Sequence, residues 1–245
     1  MIEKTSVEVV RRRIVMKTLL VGLGIFLFTS SVWAGRFIET FSDGDMEGWH
    51  ELILPQAEPG SWKIIDGELH GISPEGFTRL LTMGDKTWRD YVIEFDVKPL
   101  EKHGSGNIAI AARVKNTQAI MGVIGDLPLP VPVPLASCFV SDFDQKTFHL
   151  LDSQASALLE LGEWSTLKLR VDGNIFTFWL NGQQILETTD PADRLRVGGV
   201  GLGLVGYTAR FDNIVITGEG VPNKGRLPIE PQSKLALTWG ALKRF

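Results

Sequence analysis

The stretch that most constrains the fold is Trp164–Leu186, WSTLKLRVDGNIFTFWLNGQQIL. Leu167, Leu169 and Val171 alternate with Lys168, Arg170 and Asp172. That is the period-2 pattern of a strand buried on one face and wet on the other. Asp172-Gly173-Asn174 follows, three residues that tolerate positive φ and so permit a tight hairpin turn. Phe176, Phe178 and Leu180 then share one face, opposite Ile175, Thr177 and Trp179. Asn181-Gly182 supplies a second tight turn, and Gln183–Leu186 begins the return strand. Two such turns so close together require an antiparallel sheet.

The rest of the chain repeats this grammar. Gly60–Ile65 and Glu68–Gly71 flank Asp66-Gly67, another hairpin signal. Further strands are expected at Arg36–Phe41, Thr78–Thr82, Tyr91–Lys98, Asn107–Val114, Ser137–Phe143, Lys146–Asp152 and Ala155–Glu160. Pro99 is expected to end the Tyr91 strand, and Glu101–Gly106 to turn the chain. Gly198–Gly206 is glycine-rich, but no helix start follows it, so it reads as a strand rather than a phosphate loop. Ala209–Thr217 closes the set. Gln118–Leu135 carries proline at alternate positions from Pro128 to Pro134, which removes ladder donors and predicts an extended loop packed on the domain. Many short strands with closely spaced turns predict an all-β jelly-roll sandwich of two antiparallel sheets. The strand–helix alternation of parallel α/β folds is missing.

Before the strands lies a different kind of segment. Arg11, Arg12, Arg13 and Lys17 precede the apolar run Leu19–Phe28, and Val32-Trp33-Ala34 places small residues at a cleavage point. Residues 1–34 therefore read as a signal peptide, with 1–15 an over-extended start before Met16. The jelly roll is expected at 35–217, and 218–245 as a linker and C-terminal tail. The mature protein is expected to be secreted or periplasmic, with no membrane span after cleavage. Net charge is −4, and the only arginine run lies in the leader, which argues against nucleic acid as a partner. With one cysteine, Cys138, no internal disulfide can form, so stability must come from the apolar core. Cys138 sits in an apolar stretch and reads as a buried thiol.

The order of the motifs carries a resemblance. Phe41-Ser42-Asp43, Trp62 with Asp66-Gly67, Trp88–Asp96 and Gly106–Arg113 lead to Trp164, Gly173-Asn174 and Asn181-Gly182, then Gly201-Leu202 and Phe211–Ile214. This series resembles the concanavalin A-like (LamG-type) jelly rolls, and within them the secreted bacterial 3-keto-disaccharide hydrolase domains. The resemblance implies the sandwich fold and a carbohydrate or glycoconjugate ligand.

The residues nominate several sites. Glu94 and Asp96 face the same way on their strand, but the third carboxylate of a laminarinase-type set would fall at Pro99. The pair therefore reads as a solvated face. His50, His70, His103 and His149 are scattered without metal-ligand spacing. Asp43 and Asp45 in the first turn, with Asp212 on the last strand, make Ca²⁺ the candidate metal. A sugar site needs an aromatic platform and planar polar groups. Arg113, at the end of a face of small residues with Ala109 and Ala111, and the outward Trp179 fit best. Asp142, Asp144, His149, Tyr207 and Trp88 are secondary candidates, while Trp49, Trp62 and Trp164 are expected in the core. The reading is an exported, non-catalytic carbohydrate-binding module. A hydrolase or lyase acting on 3-keto-disaccharides, and a structural envelope protein, are the alternatives.

Overall fold

A computed structural model describes residues 34–54, 61–74, 76, 78–126, 134–156 and 158–225. The signal segment before Ala34, the alternating prolines of 127–133 and the tail from 226 lie outside the described residues. The chain divides at Trp33/Ala34, and every described strand belongs to the unit Ala34–Phe245. No helix among the described residues is long and apolar enough to cross a membrane.

Two long strands organise the sandwich. Strand β6 runs Tyr91–Lys115 and β13 runs Gly199–Gly218. They pair antiparallel along almost their whole length, from Gly199↔Val114 to Gly218↔Tyr91. The other strands attach to one half or the other. On the first half, β10 (Ser165–Asp172), β11 (Ile175–Leu180) and β12 (Gln183–Thr189) extend outward from β6, while β1 (Gly35–Glu39), β4 (Glu68–Ser73) and β3 (Ser61–Ile65) lie beyond β13. On the second half, β7 (Gln118–Asp126), β8 (Pro134–Asp142) and β9 (Thr147–Ala155) follow β6, and β5 (Thr78–Met83) and β2 (His50–Leu54) follow β13. The halves face each other: an atom replacing hydrogen on Gly122 of β7 would stand 3.3 Å from the Phe178 ring of β11. Ile93, Phe95, Leu167, Phe176 and Phe178 from one side meet Ile110, Ile120, Ala136 and Val140 from the other in one buried core.

The bend between the halves explains two departures from the sequence reading. Pro99 does not end the strand. It sits opposite Ala209, where the register slips between Thr208 and Ala209, so the missing N–H falls at an irregularity the ladder already has. The chain then turns at the expected Glu101–Gly106 segment without leaving the sheet, because Tyr207 pairs with Lys102 and Val205 with Asn107. Gly106 makes this possible, since a Cβ there would lie 1.9 Å from the Val205 carbonyl oxygen. The sites of Gly198–Gly206 and Ala209–Thr217 likewise merge into the single β13.

Gln118–Asp126 is strand, not loop. Ile120 and Ile124 face the central core, while Ala119, Met121 and Val123 join Leu80, Ala109 and Ala111 in a second apolar cluster. A strand buried on both faces reads as a continuous apolar run, which hides its alternation. The expected Ala155–Glu160 strand reduces to Ala155, the last residue of β9. Trp49 and Trp62 are in the core as expected; Trp164 is not, with 41 % of its surface exposed.

One end of the sandwich is closed by Tyr91 and Arg113. The Tyr91 hydroxyl donates to the Gly199 carbonyl at 2.8 Å and accepts from the Arg113 N–H at 2.6 Å. Burial pushes this phenol far above its ordinary range. Arg113 has φ of 50° at a register slip, which breaks the alternation that put it beside Ala109 and Ala111. Its side chain instead packs over the Phe176 ring at 5.4 Å and is only 2 % exposed. It donates to the carbonyls of Leu195 (2.6 Å) and Gly173, tying three loops together with Arg89. The expected face of small residues ending in Arg113 therefore does not exist: the alanines are covered and the arginine points elsewhere.

Two outcomes follow for the fold. Arg113→Ala strips donors from buried carbonyls and leaves a gap on Phe176, so a urea melt is expected to show a loss of ~3 kcal/mol. Cys138 is fully buried, and burial pushes its thiol up to about 12. The reactive thiolate is therefore strongly disfavoured at pH 8. Iodoacetamide is expected to label it in denaturant and not in buffer; rapid labelling in buffer would contradict this packing.

Candidate functional site

The outward face of the first sheet concentrates polar chemistry. Cross-strand register sets Trp179 of β11 beside Lys168 of β10, Lys168 beside Glu94 of β6, and Glu94 beside Val215 of β13. The next row aligns Thr177, Arg170, Val92 and Thr217 in the same way. Alternation sets Trp179 on the face opposite the buried Phe176 and Phe178, where it is partly exposed. Lys168 Nζ sits 2.7 Å from the Glu94 carboxylate and 5.8 Å from the centre of the Trp179 ring. Together they line an open groove of about 480 Å³, with Arg170 and Thr217 at its other side. An aromatic surface ringed by fixed donors and acceptors can hold a flat, hydroxyl-rich ligand.

Further along the same face is a second polar group. Asp96 pairs in register with Asp212 and with Thr166. It accepts hydrogen bonds from Thr166 Oγ1 at 2.7 Å and Asn213 Nδ2 at 3.0 Å. Asp212 has a different environment. Partial burial, then the nearby Glu68 and Asp96 charges, raise its carboxyl above the ordinary carboxylate range, against the lowering pull of the Asn213 N–H and Arg210. Arg210 pairs with Glu68 and lies over the Trp164 ring at 5.8 Å. Trp164 was missed as a surface residue because a lone tryptophan before a strand reads as a core anchor. The pairing Arg210↔His70, beside Glu68, would have been the signal, and it needs the register.

The remaining candidates scatter. Glu94 and Asp96 share the outward face, as alternation requires. Asp142, Asp144 and His149 belong to the β8–β9 hairpin at the far edge of the second sheet. Asp142 is held below its ordinary range by the Gln118 amide, 2.6 Å away. Trp88 and Tyr207 are buried, and Trp88 donates to the Gly220 carbonyl. Asp43 and Asp45 accept hydrogen bonds from backbone N–H groups of their own turn, while Asp212 keeps company with Glu68, Asp96 and Arg210. Among the described residues no group of three or more His, Cys, Asp or Glu side chains converges as a metal site.

Comparison with known proteins gives the context. No curated protein matches the sequence. Carbohydrate-binding module CBM66 from Bacillus subtilis superposes with a TM-score of 0.54 at 17% identity, covering 69% of this chain and 95% of that one. The exoplasmic/lumenal domain of VIP36 in its Ca²⁺/Man3GlcNAc-bound form gives 0.53 at 12% identity, covering 84% and 93%. The carbohydrate recognition domain of Emp47p gives 0.51 at 11%, covering 78% and 97%. At these identities the likeness establishes the jelly-roll fold and nothing finer. The sequence itself is more specific: residues 36–217 match the 3-keto-alpha-glucoside-1,2-lyase-like domain, and the chain belongs to that family.

Proposed function

We propose that this protein is an exported saccharide-binding jelly roll whose ligand lies in the Trp179 groove. The single observation that carries the reading is Trp179 set in register with Lys168 and Glu94 on an open, polar sheet face. A sugar ring stacks its apolar face on the indole, Glu94 accepts from hydroxyls, and Lys168, Arg170 and Thr217 donate to ring and hydroxyl oxygens. The carbohydrate-binding module CBM66, the Emp47p carbohydrate recognition domain and the Man3GlcNAc-bound VIP36 domain support the same class of ligand. The leader around Arg11–Phe28 supports export.

Family membership supports a second reading, an eliminating lyase. In a 3-keto glycoside the ketone acidifies the C2 proton. A carboxylate takes that proton, the C1–C2 double bond forms, and the C1–O bond breaks with its electrons leaving on the aglycone oxygen. Asp212, raised in proton affinity beside Asp96, is the base this reading uses.

Two experiments test these readings. Trp179→Ala is expected to weaken the best ligand from a glycan array at least ~10-fold by calorimetry, about 1.4 kcal/mol. Unchanged affinity would remove the groove. For the lyase, Asp212→Asn is expected to abolish aglycone release from a 3-keto-α-glucoside. Because the folded state raises this pKa, the charged form is disfavoured at neutral pH and the penalty vanishes below the ordinary carboxylate pKa. Asp212→Asn should therefore raise Tm at pH 7 and leave it unchanged at pH 3. Lost turnover with raised Tm marks a catalytic base; retained turnover excludes it.

A further inference from the structure

The sandwich end beyond the β10–β11 turn holds a recess of about 300 Å³, lined by Arg89, Arg113, Arg196, Gly173, Asn174 and Asp193. We propose that this recess binds the anionic group, carboxylate or sulfate ester, of an acidic saccharide. The inference rests on the saccharide reading of the Trp179 groove and names the class of sugar.

The charges around the recess do not balance. Arg113 is buried, and its hydrogen-bonding partners are carbonyls, which satisfy donors without supplying charge. Its nearest carboxylate, Asp90 Oδ1, is 3.7 Å away and already accepts from the Gly173 N–H at 2.8 Å. Arg89 is near enough that its charge disfavours the ionised form of Arg113, and among the described residues it forms no ion pair. Arg196 is exposed and bonded to Asp193 at 2.6 Å. Three guanidinium groups thus face two carboxylates, leaving one positive charge that a monoanion would neutralise. A recess of net positive charge beside a desolvated cation focuses that field on whatever enters it.

The geometry selects the kind of anion. Arg113 Nη1 and Nη2 donate to carbonyls and its Nε is buried, so it supplies mainly field. Arg89 and Arg196 supply the planar forks that match a carboxylate or sulfate edge to edge, and Asn174 adds an amide. The volume suits one sugar residue better than an extended ligand. Strand β10 lines the Trp179 groove, and the turn that follows it lines the recess. From Lys168 to Gly173 is ~17 Å along an extended chain, and Arg170 and Asp172 lie between. One oligosaccharide can therefore place a neutral ring on Trp179 and an acidic one in the recess.

The test uses the mature chain and the double variant Arg89→Gln/Arg196→Gln, which leaves Arg113 and the fold intact. Calorimetry at constant ionic strength compares tetragalacturonate, glucose 6-sulfate, inorganic phosphate and a neutral tetrasaccharide. The wild-type chain is expected to bind tetragalacturonate or glucose 6-sulfate at least tenfold more tightly than phosphate. The double variant should lose that preference and keep its affinity for the neutral tetrasaccharide. Equal binding of acidic and neutral sugars by the wild type, an unchanged preference in the double variant, or phosphate bound as tightly as the acidic sugars would each overturn the proposal. Binding of acidic sugars that survives Trp179→Ala unchanged, with no neutral glycan bound, would support the recess and remove the groove.

Discussion

Everything in this sandwich hangs on the pairing of β6 with β13. Each strand is long enough to cross from one sheet to the other, and they cross together. Both sheets therefore share their two central strands, and every other strand adds outward from that pair. The arrangement needs a place where two backbones bend at once. Gly106 against the Val205 carbonyl, with Gly206 at φ 65° across from it, provides that place, and no residue with a Cβ fits the first position. The core of Phe95, Phe211, Ile110 and Leu202 forms because this bend folds one ladder onto itself.

The pairing also decides the chemistry of the outward face. Asp96 and Asp212 are far apart in sequence and are cross-strand neighbours only because β6 and β13 run in this register. Asp96 accepts hydrogen bonds from a hydroxyl and an amide, whereas Asp212 is partly buried among like charges. The proton affinity of Asp212 is raised by its surroundings alone. The same register lines Trp179, Lys168 and Glu94 across three strands. No stretch of sequence contains that row.

This marks the boundary of what was legible in the chain. The β10–β12 hairpins were readable because Gly173, Asn181 and Gly182 adopt the positive φ their turns need, and because Leu167, Leu169, Phe176 and Phe178 keep strict alternation. The jelly roll and the buried Cys138 followed from the same local rules. What failed depended on slips of register, on burial of both faces of a strand, or on a contact from a distant strand. Arg113 was assigned to a face by counting in twos, and a bulge at that residue turned it inward. Pro99 was read as a terminator because its tolerance depends on an irregularity in the partner strand. β7 was read as loop because burial on both faces erases the period-2 signal. Trp164 was assigned to the core because hydrophobicity alone does not reveal an arginine stacked over the ring.

The two sheets differ in one respect that bears on how such a protein can change. The first buries only its inner face; its outer face is a mosaic of Lys168, Glu94, Arg170, Asp96 and Thr217. The middle of the second is buried on both faces, with Ala109, Ala111 and Met121 packed as tightly outside as Ile108 and Ile110 inside. A side chain on the first sheet can therefore be exchanged for one of different size or charge with little effect on packing, whereas at the centre of the second almost any exchange disturbs a core. Divergence in ligand preference has an open route across the first sheet, and the second is the part that holds still while it happens.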